Sequence, residues 1–516
     1  MPNTKTLAQI QDFKGRFPKQ LWALFFSEMW ERFCFYGMRG MLTYFMVTQL
    51  MMKDDVANLQ YGATQAFVYA FTFIGGLFAD KILGFRKSLF WGGILMIVGS
   101  AILSYDPHRF FFLGISFTIV GTGFFKPNIS TMVGSLYKKN DVRRDAGFSL
   151  FYSGINIGAL LGGYACIAIG KQYSWHLAFG LAGIVMTISL LTFLFTQKTL
   201  GPIGLPPAEG DVVEDVISDG LGDTTHSEPV VIERKAINKK WYDYAVFAGS
   251  LAVIPIIMIM VAKTQYTDWF MYTIGPATLI YLFYEMTKLR SPEWKKLLAA
   301  LVFILFSILF WAFFEQSGGS LALFAARNLG TEMLGITFDP NGVNNAANSL
   351  FVIIFAPIVG LVWIALAKKK IEPNTVVKFG MGFLFLAGAF FTFYSTRFFA
   401  NAQGIASLDV FTVAYLVITF GELCLSPIGL SIMTKLSPAK LQGVMMGMWF
   451  LASAYGQYAA GLFGADLSTG GETDSIQQKL ITYTDGYKQL AIYALITGVL
   501  LILISPVVKK LMQEVK

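Results

Sequence analysis

The sequence predicts an all-α polytopic membrane protein with fourteen transmembrane helices, arranged as six and six with two inserted between them. Three observations carry that reading. Of 516 residues, 55% are hydrophobic and only 14% charged, where soluble domains carry about 25% charged residues. Apolar stretches long enough to cross a bilayer recur along the whole chain. Lys and Arg fall mainly in every second connection between those stretches, as they do when basic loops fix membrane orientation.

The candidate spans lie near 20–51, 58–84, 86–106, 109–136, 143–170, 175–197, 241–262, 267–287, 294–326, 344–367, 375–397, 408–434, 440–465 and 484–510. An even number puts both termini on one side. Of the 40 Lys and Arg residues, 29 fall on the terminal side, eight opposite and three inside spans. That bias predicts cytoplasmic termini. The net charge of +8 is then the charge of orienting loops, and nucleic acid is not an expected partner. Cys34, Cys166 and Cys424 are far apart in apolar runs, with neither metal-ligand spacing nor a disulfide framework. The first twenty residues lack an apolar core followed by a cleavage site, so no cleaved signal peptide is expected.

One long polar connection, 198–240, contains DVVEDVISDGLGDTTHSEP. Its composition predicts a disordered cytoplasmic linker. The expected division is therefore a six-helix bundle at 1–197, the linker at 198–240, two inserted helices at 241–290 and a second six-helix bundle at 291–516. Six plus six helices is the arrangement of major facilitator transporters, which bind substrate between halves near the midplane.

The first span reads SEMWERFCFYGMRG at 27–40, with four ionisable side chains in an apolar setting. At about 100° per residue, Arg32, Tyr36 and Arg39 fall roughly 40°, 80° and 20° from Glu28, and Glu31 roughly 60° the other way. They share one face, which must line a cavity or a helix interface rather than lipid. A charge at the bilayer centre costs about 2.5–3.5 kcal/mol on insertion scales, so such groups are functional candidates.

Other spans supply partners. The fourth carries Lys126 in GTGFFKPNIS, which lacks the GK[ST] of a phosphate-binding loop. The fifth, FYSGINIGALLGG, places Tyr152 and Asn156 on one face and repeats glycine at 154, 158 and 162, a pattern for close helix packing. The ninth reads FWAFFEQ, with Trp311 and Glu315 four apart. The twelfth reads FGELCLSPIGL, with Glu422 and Ser426 four apart and a kink-forming Pro427. Counting Glu28, Glu31, Glu315 and Glu422 against Arg32, Arg39 and Lys126 leaves one negative charge. One proton would neutralise the set, which predicts proton coupling.

At these residues the chain resembles the proton-dependent oligopeptide transporter (POT) family of the major facilitator superfamily, in its bacterial type. ERFCFYG after Glu28 is similar to the signature of the family's first helix, with Phe35 where the family has tyrosine. GGLFADKILGFRK at 75–87 is similar to the loop between helices 2 and 3, with Asp80 beside Arg86 and Lys87. FFKPNIS, FYSGINIG, FWAFFEQ and GELCLSPIGL resemble further family motifs. The resemblance implies import of di- and tripeptides across a bacterial inner membrane by alternating access, with the proton as coupling ion and no cofactor. By motif position it implies proton coupling at Glu28, Glu31 and Arg32, with Glu315 linked to Lys126. It implies that Arg39, Lys126 and Glu422 meet the peptide termini. Tyr36, Tyr69, Tyr152, Asn156, Trp311, Asn348, Ser426 and Trp449 match pocket positions, and Asp80, Arg86 and Lys87 a gating loop.

The residues themselves support that polarity. A zwitterion needs an anion for its amine and cations for its carboxylate, and Glu422 lies in one half while Arg39 and Lys126 lie in the other. Two other functions are rivals. A membrane enzyme finds no support, because His108, His176 and His226 do not converge on a carboxylate cluster and no nucleophile or metalloprotease motif occurs. A proton-coupled transporter of another small solute, such as nitrate or a drug, is the alternative that dialanine competition would separate.

Overall fold

The structure is a computed structural model that describes residues 6–138, 141–206, 212–217, 230–235, 240–425, 430–438, 441–468, 475–513 and 515. A short helix α1 (Leu7–Gln11) is closed by a capping box on Thr6 and precedes six long helices. These are α2 (Lys19–Thr48), α3 (Asp54–Phe78), α4 (Phe85–Tyr105), α5 (Phe111–Ser135), α6 (Arg144–Gln172) and α7 (Trp175–Thr196). A β-hairpin, β1 (Val212–Ile217) and β2 (Val230–Lys235), leads to the inserted pair α8 (Lys240–Ala262) and α9 (Thr264–Met286). The second set is α10 (Ser291–Phe314), α11 (Ser320–Asn328), a two-residue-stranded turn of β3 (Glu332–Met333) and β4 (Ile336–Thr337), α12 (Pro340–Lys368), α13 (Thr375–Ser395), α14 (Leu408–Leu425), α15 (Leu430–Leu436), α16 (Gln442–Leu467) and α17 (Ile476–Met512).

Among the described residues, every predicted span is met by helix. Ten helical segments of the described residues are long and apolar enough to cross a membrane on length and composition alone. The others, such as α2 and α5, are diluted by polar residues that turn inward. Three details differ from the sequence reading. The span near 294–326 is two helices, broken by a 3-10 turn at Glu315–Gly318, where two adjacent glycines weaken helix. Helix α17 starts well before residue 484, because Ser475 and Gln478 form a capping box that holds a polar first turn. The linker is not without structure: β1 and β2 pair antiparallel from Val212↔Lys235 to Ile217↔Val230. Both strands are rich in β-branched residues, which the composition of the whole linker hides.

The two sets of six form separate cores. One joins Leu42, Phe45, Phe124, Phe125, Phe151 and Phe179; the other joins Phe303, Phe310, Phe383, Phe393, Phe411 and Tyr487. The predicted glycine ladder explains close packing in the first core. A Cβ on Gly158 would lie 2.1 Å from the Met29 carbonyl and one on Gly162 2.1 Å from that of Phe33, so α6 lies directly on the backbone of α2. Helix α8 rests on α5, and α9 lies alongside α3 and α16, which pack directly on each other. Tyr458 donates to Asp268 of α9 at 2.6 Å, and Gln60 of α3 donates to Ala262 O at 3.1 Å.

Candidate functional site

The charges of α2 come together as the helical angles predict. Glu28, Glu31 and Arg32 are buried, at 2%, 0% and 1% exposure. Arg32 Nε lies 3.1 Å from Glu28 Oε1 and also bonds Glu31 Oε2. Two acids to one guanidinium leave one negative charge. Lys126 of α5, itself buried, acts electrostatically on both acids and brings this set to zero. Its ammonium sits 4.7 Å from the Tyr69 ring centroid, a cation–π distance.

Seven residues along α2 from Arg32, Arg39 enters a cavity between the two sets of helices. Its wall is built by α2, α3 and α6 on one side and α10, α12 and α14 on the other. Tyr36, Tyr69, Tyr152, Asn156, Trp311, Asn348 and Glu422 all line it. Arg39 Nη2 forms an ion pair with Glu315 Oε2, and its Nε donates to Tyr61 OH at 2.8 Å. The structure thus pairs Glu315 with Arg39, where the resemblance links it to Lys126. The 3-10 turn after Phe314 brings Glu315 to face α2 across the seam. Glu422 is held by Asn348, whose Nδ2 donates to Oε2 at 2.9 Å and to Thr419 Oγ1 at 3.1 Å. With Arg39 and Glu315 mutually neutral, the one uncompensated negative charge of the set sits on Glu422.

Some predicted residues lie elsewhere. Trp449 is outside this wall and packs in the second core. Its neighbours Gly447 and Phe450 meet Phe73 of α3, and Trp449 is about 100° round the helix from Phe450. Ser426 lies outside the described residues. Asp80 is in a π-helical turn, Ala79–Leu83, beside a small pocket that also contains Asn128 and Phe450. Arg86 holds the segment after α7, donating to Ile203 O and Gly201 O at 2.6 Å each. Lys87 pairs with Asp243 of α8 at 2.6 Å. These two basic residues therefore dock the linker and the inserted pair onto the first bundle.

The sequence reading missed Tyr61, Ser317, Asn344, Asn345 and Tyr415. Tyr61 had a signal: it is eight residues before Tyr69, on the same helix face. The asparagines had one too, because a run of amides in an apolar helix needs a reason.

Among the described residues, ion pairs between the halves gather at the end of the bundle away from the termini, while α3 and α16 also meet nearer the other end at Phe73 and Phe450. Asp54 pairs with Arg327, Nη2 to Oδ1 at 2.8 Å. Lys171 meets Asp339 at 2.9 Å and Asn341 at 2.7 Å. Gly62 and Gly461 touch so closely that a Cβ on Gly62 would lie 2.7 Å from Gly461 Cα. This end is closed, and the cavity is sealed from it by the Arg39–Glu315 pair and by Thr43, which donates to Gly318 O.

The sequence profile of the POT family matches residues 86–469. The chain is 33% identical to the uncharacterized transporter YclF of Bacillus subtilis (strain 168), over 97% of each protein. It is 34% identical to the peptide transporter YePEPT of Yersinia enterocolitica subsp. palearctica serotype O:3, over 87% of each. A crystal structure of a mutant peptide transporter POT in complex with alafosfalin superposes with a TM-score of 0.79 at 29% identity, covering 99% of this chain and 100% of that one. The helix order, the inserted pair, the charged face of α2 and these likenesses together make this chain a member of the POT family, a major facilitator transporter and not an enzyme.

Proposed function

We propose that the protein imports di- and tripeptides together with protons across a bacterial inner membrane, with both termini in the cytoplasm. The observation that carries this reading is the polarity of the cavity. It offers an uncompensated carboxylate, Glu422, from one half and a guanidinium, Arg39, from the other. Tyrosine rings and amides fill the wall between, which suits a zwitterion of variable side chains.

The steps follow from the ion pairs. A peptide amine takes Glu422, to which Asn348 already gives a fixed orientation. The peptide carboxylate competes with Glu315 for Arg39 and is assisted by Lys126. Once displaced, Glu315 is a buried carboxylate without a cation, and a proton neutralises it. Breaking the Arg39–Glu315 pair also breaks a contact between halves, so substrate, proton and opening are tied to one event. Glu28, Glu31 and Arg32 carry the second proton-sensitive site: two acids that share one guanidinium. Orientation rests on the Lys and Arg distribution, which turns the closed end outward. The reading needs no cofactor beyond the proton.

Uptake into proteoliposomes with an imposed pH gradient tests it. The expected result is accumulation of labelled dialanine above equilibrium, abolished by a protonophore and competed by tripeptides. Accumulation of nitrate or a drug without competition by any peptide overturns it.

A further inference from the structure

Four asparagines fall between 341 and 348 in the first turns of α12. Asparagine is a weak helix former that competes with the backbone for hydrogen bonds. A membrane helix that begins with four of them sacrifices stability unless each amide has a task. Asn341 Nδ2 donates to Ala322 O at 2.7 Å within the second bundle, and Asn348 holds Glu422. Asn344 and Asn345 line the cavity but take no step in the transport reading above.

Their contacts fall on either side of the Arg39–Glu315 pair. Asn344 is 1% exposed. It donates from Nδ2 to Ser317 O at 2.7 Å and accepts from Tyr415 OH at 2.6 Å. It thereby ties the Glu315–Gly318 turn to α12 and α14. The next residue crosses the seam: Asn345 Nδ2 donates to the carbonyl of Gly40, the residue after Arg39, at 3.2 Å. The first bundle is shaped to receive it. A Cβ on Gly40 would lie 2.5 Å from Asn345 Nδ2, and one on Gly163 of α6 3.2 Å from Asn345 Cβ. One amide fixes the backbone that carries the carboxylate; its neighbour fixes the backbone that carries the guanidinium.

We propose that Asn344 and Asn345 are positioning residues for the Arg39–Glu315 ion pair, a double amide clasp that holds both partners in register across the seam. The clasp makes the ion pair and the seam open together, so it sets how tightly proton movement is coupled to peptide movement. This rests on the proton-coupled reading of Glu315. The titratable groups that face the pair are Tyr36, Tyr61, Tyr69, Tyr415 and Glu422. Neither asparagine titrates, so the clasp acts by geometry alone.

Two measurements on the full chain test this. In proteoliposomes, gradient-driven dialanine uptake and dialanine counterflow are compared in the same preparation. Asn345→Ala should lower the ratio of driven uptake to counterflow about fivefold, the effect of one lost hydrogen bond, and Asn344→Ala, which loses two, should lower it further. Gly40→Ala keeps both asparagines but crowds Asn345, and should lower the ratio in the same way. A constant ratio, with both activities falling together, means a merely structural role and overturns the proposal. The second measurement does not depend on transport. Spin labels at Val56→Cys and Leu334→Cys, both exposed sites, report the closed end; the native cysteines are buried. Asn345→Ala should add a longer-distance population, and an unchanged distribution overturns the clasp. Wild-type protein that shows no gradient-driven uptake, with the label distances still responding to Asn345→Ala, removes the coupling reading and leaves the clasp.

Discussion

Arg39 is the residue on which most of the site depends. Its Nε is engaged by Tyr61 and its Nη2 by Glu315, two directions that only a guanidinium fork serves at once. Arg39→Lys keeps the charge but can satisfy only one of them. Hydrogen bonds to charged groups contribute about 1.5–3 kcal/mol, so that variant should lose at least about tenfold in peptide kcat/KM, read from initial uptake rates. Glu28→Gln leaves Arg32 with Glu31 and removes a titratable site. It should abolish gradient-driven uptake while peptide counterflow persists; driven uptake at the wild-type rate would exclude Glu28 from coupling. At this scale the sequence was informative, because intramembrane charges are rare and their helical angles can be computed. The resemblance gave Lys126 as the partner of Glu315, and the structure pairs it with Arg39. That pairing depends on a turn at Glu315–Gly318 which hydropathy does not register.

Among the elements, α2 and α6 pack closely in the first bundle, because glycines at a spacing of four let α6 lie on the α2 backbone. A side chain at Gly158 would meet the Met29 carbonyl and Arg32 Cβ, so Gly158→Leu would push α6 off the charged face. Overpacking of this kind costs about 1–3 kcal/mol. The expected outcome is a clear drop in thermal unfolding temperature in detergent; an unchanged temperature would mean that α6 can move aside freely. The Lys87–Asp243 pair is a contrast. Its lysine is 48% exposed, and exposed pairs contribute about 0–1 kcal/mol. Asp243→Asn should therefore leave unfolding nearly unchanged, and the inserted pair stays docked through Trp91, whose indole donates to Ser250 at 2.9 Å. Helix existence was legible from apolar length. The start of α17 and the break after α10 were not, because capping boxes and glycine pairs act on a few residues that a long window averages away.

Over the whole molecule, the state is defined by one closed end. Asp54–Arg327, Lys171–Asp339 and the Gly62–Gly461 contact join the halves there. Reversing one charge with Arg327→Asp should populate the opposite state, so that a cysteine placed in the cavity reacts with a membrane-impermeant thiol reagent from the closed end. Restoring the pair with Asp54→Arg in the same chain should return the protection. Protection that survives Arg327→Asp would show that helix packing alone keeps this end shut.

The sequence by itself determined the fold class, the apolar spans and which charges are buried among them. These follow from composition, period and the cost of charge in lipid, all of which are local or additive properties. Tertiary structure decided who meets whom. It paired Arg39 with Glu315, isolated Glu422 as the uncompensated charge, turned Trp449 into the core and aimed Asn344 and Asn345 of α12 at partners on opposite sides of the seam. Such pairings join residues hundreds of positions apart, and they exist only once two separately packed bundles are brought together.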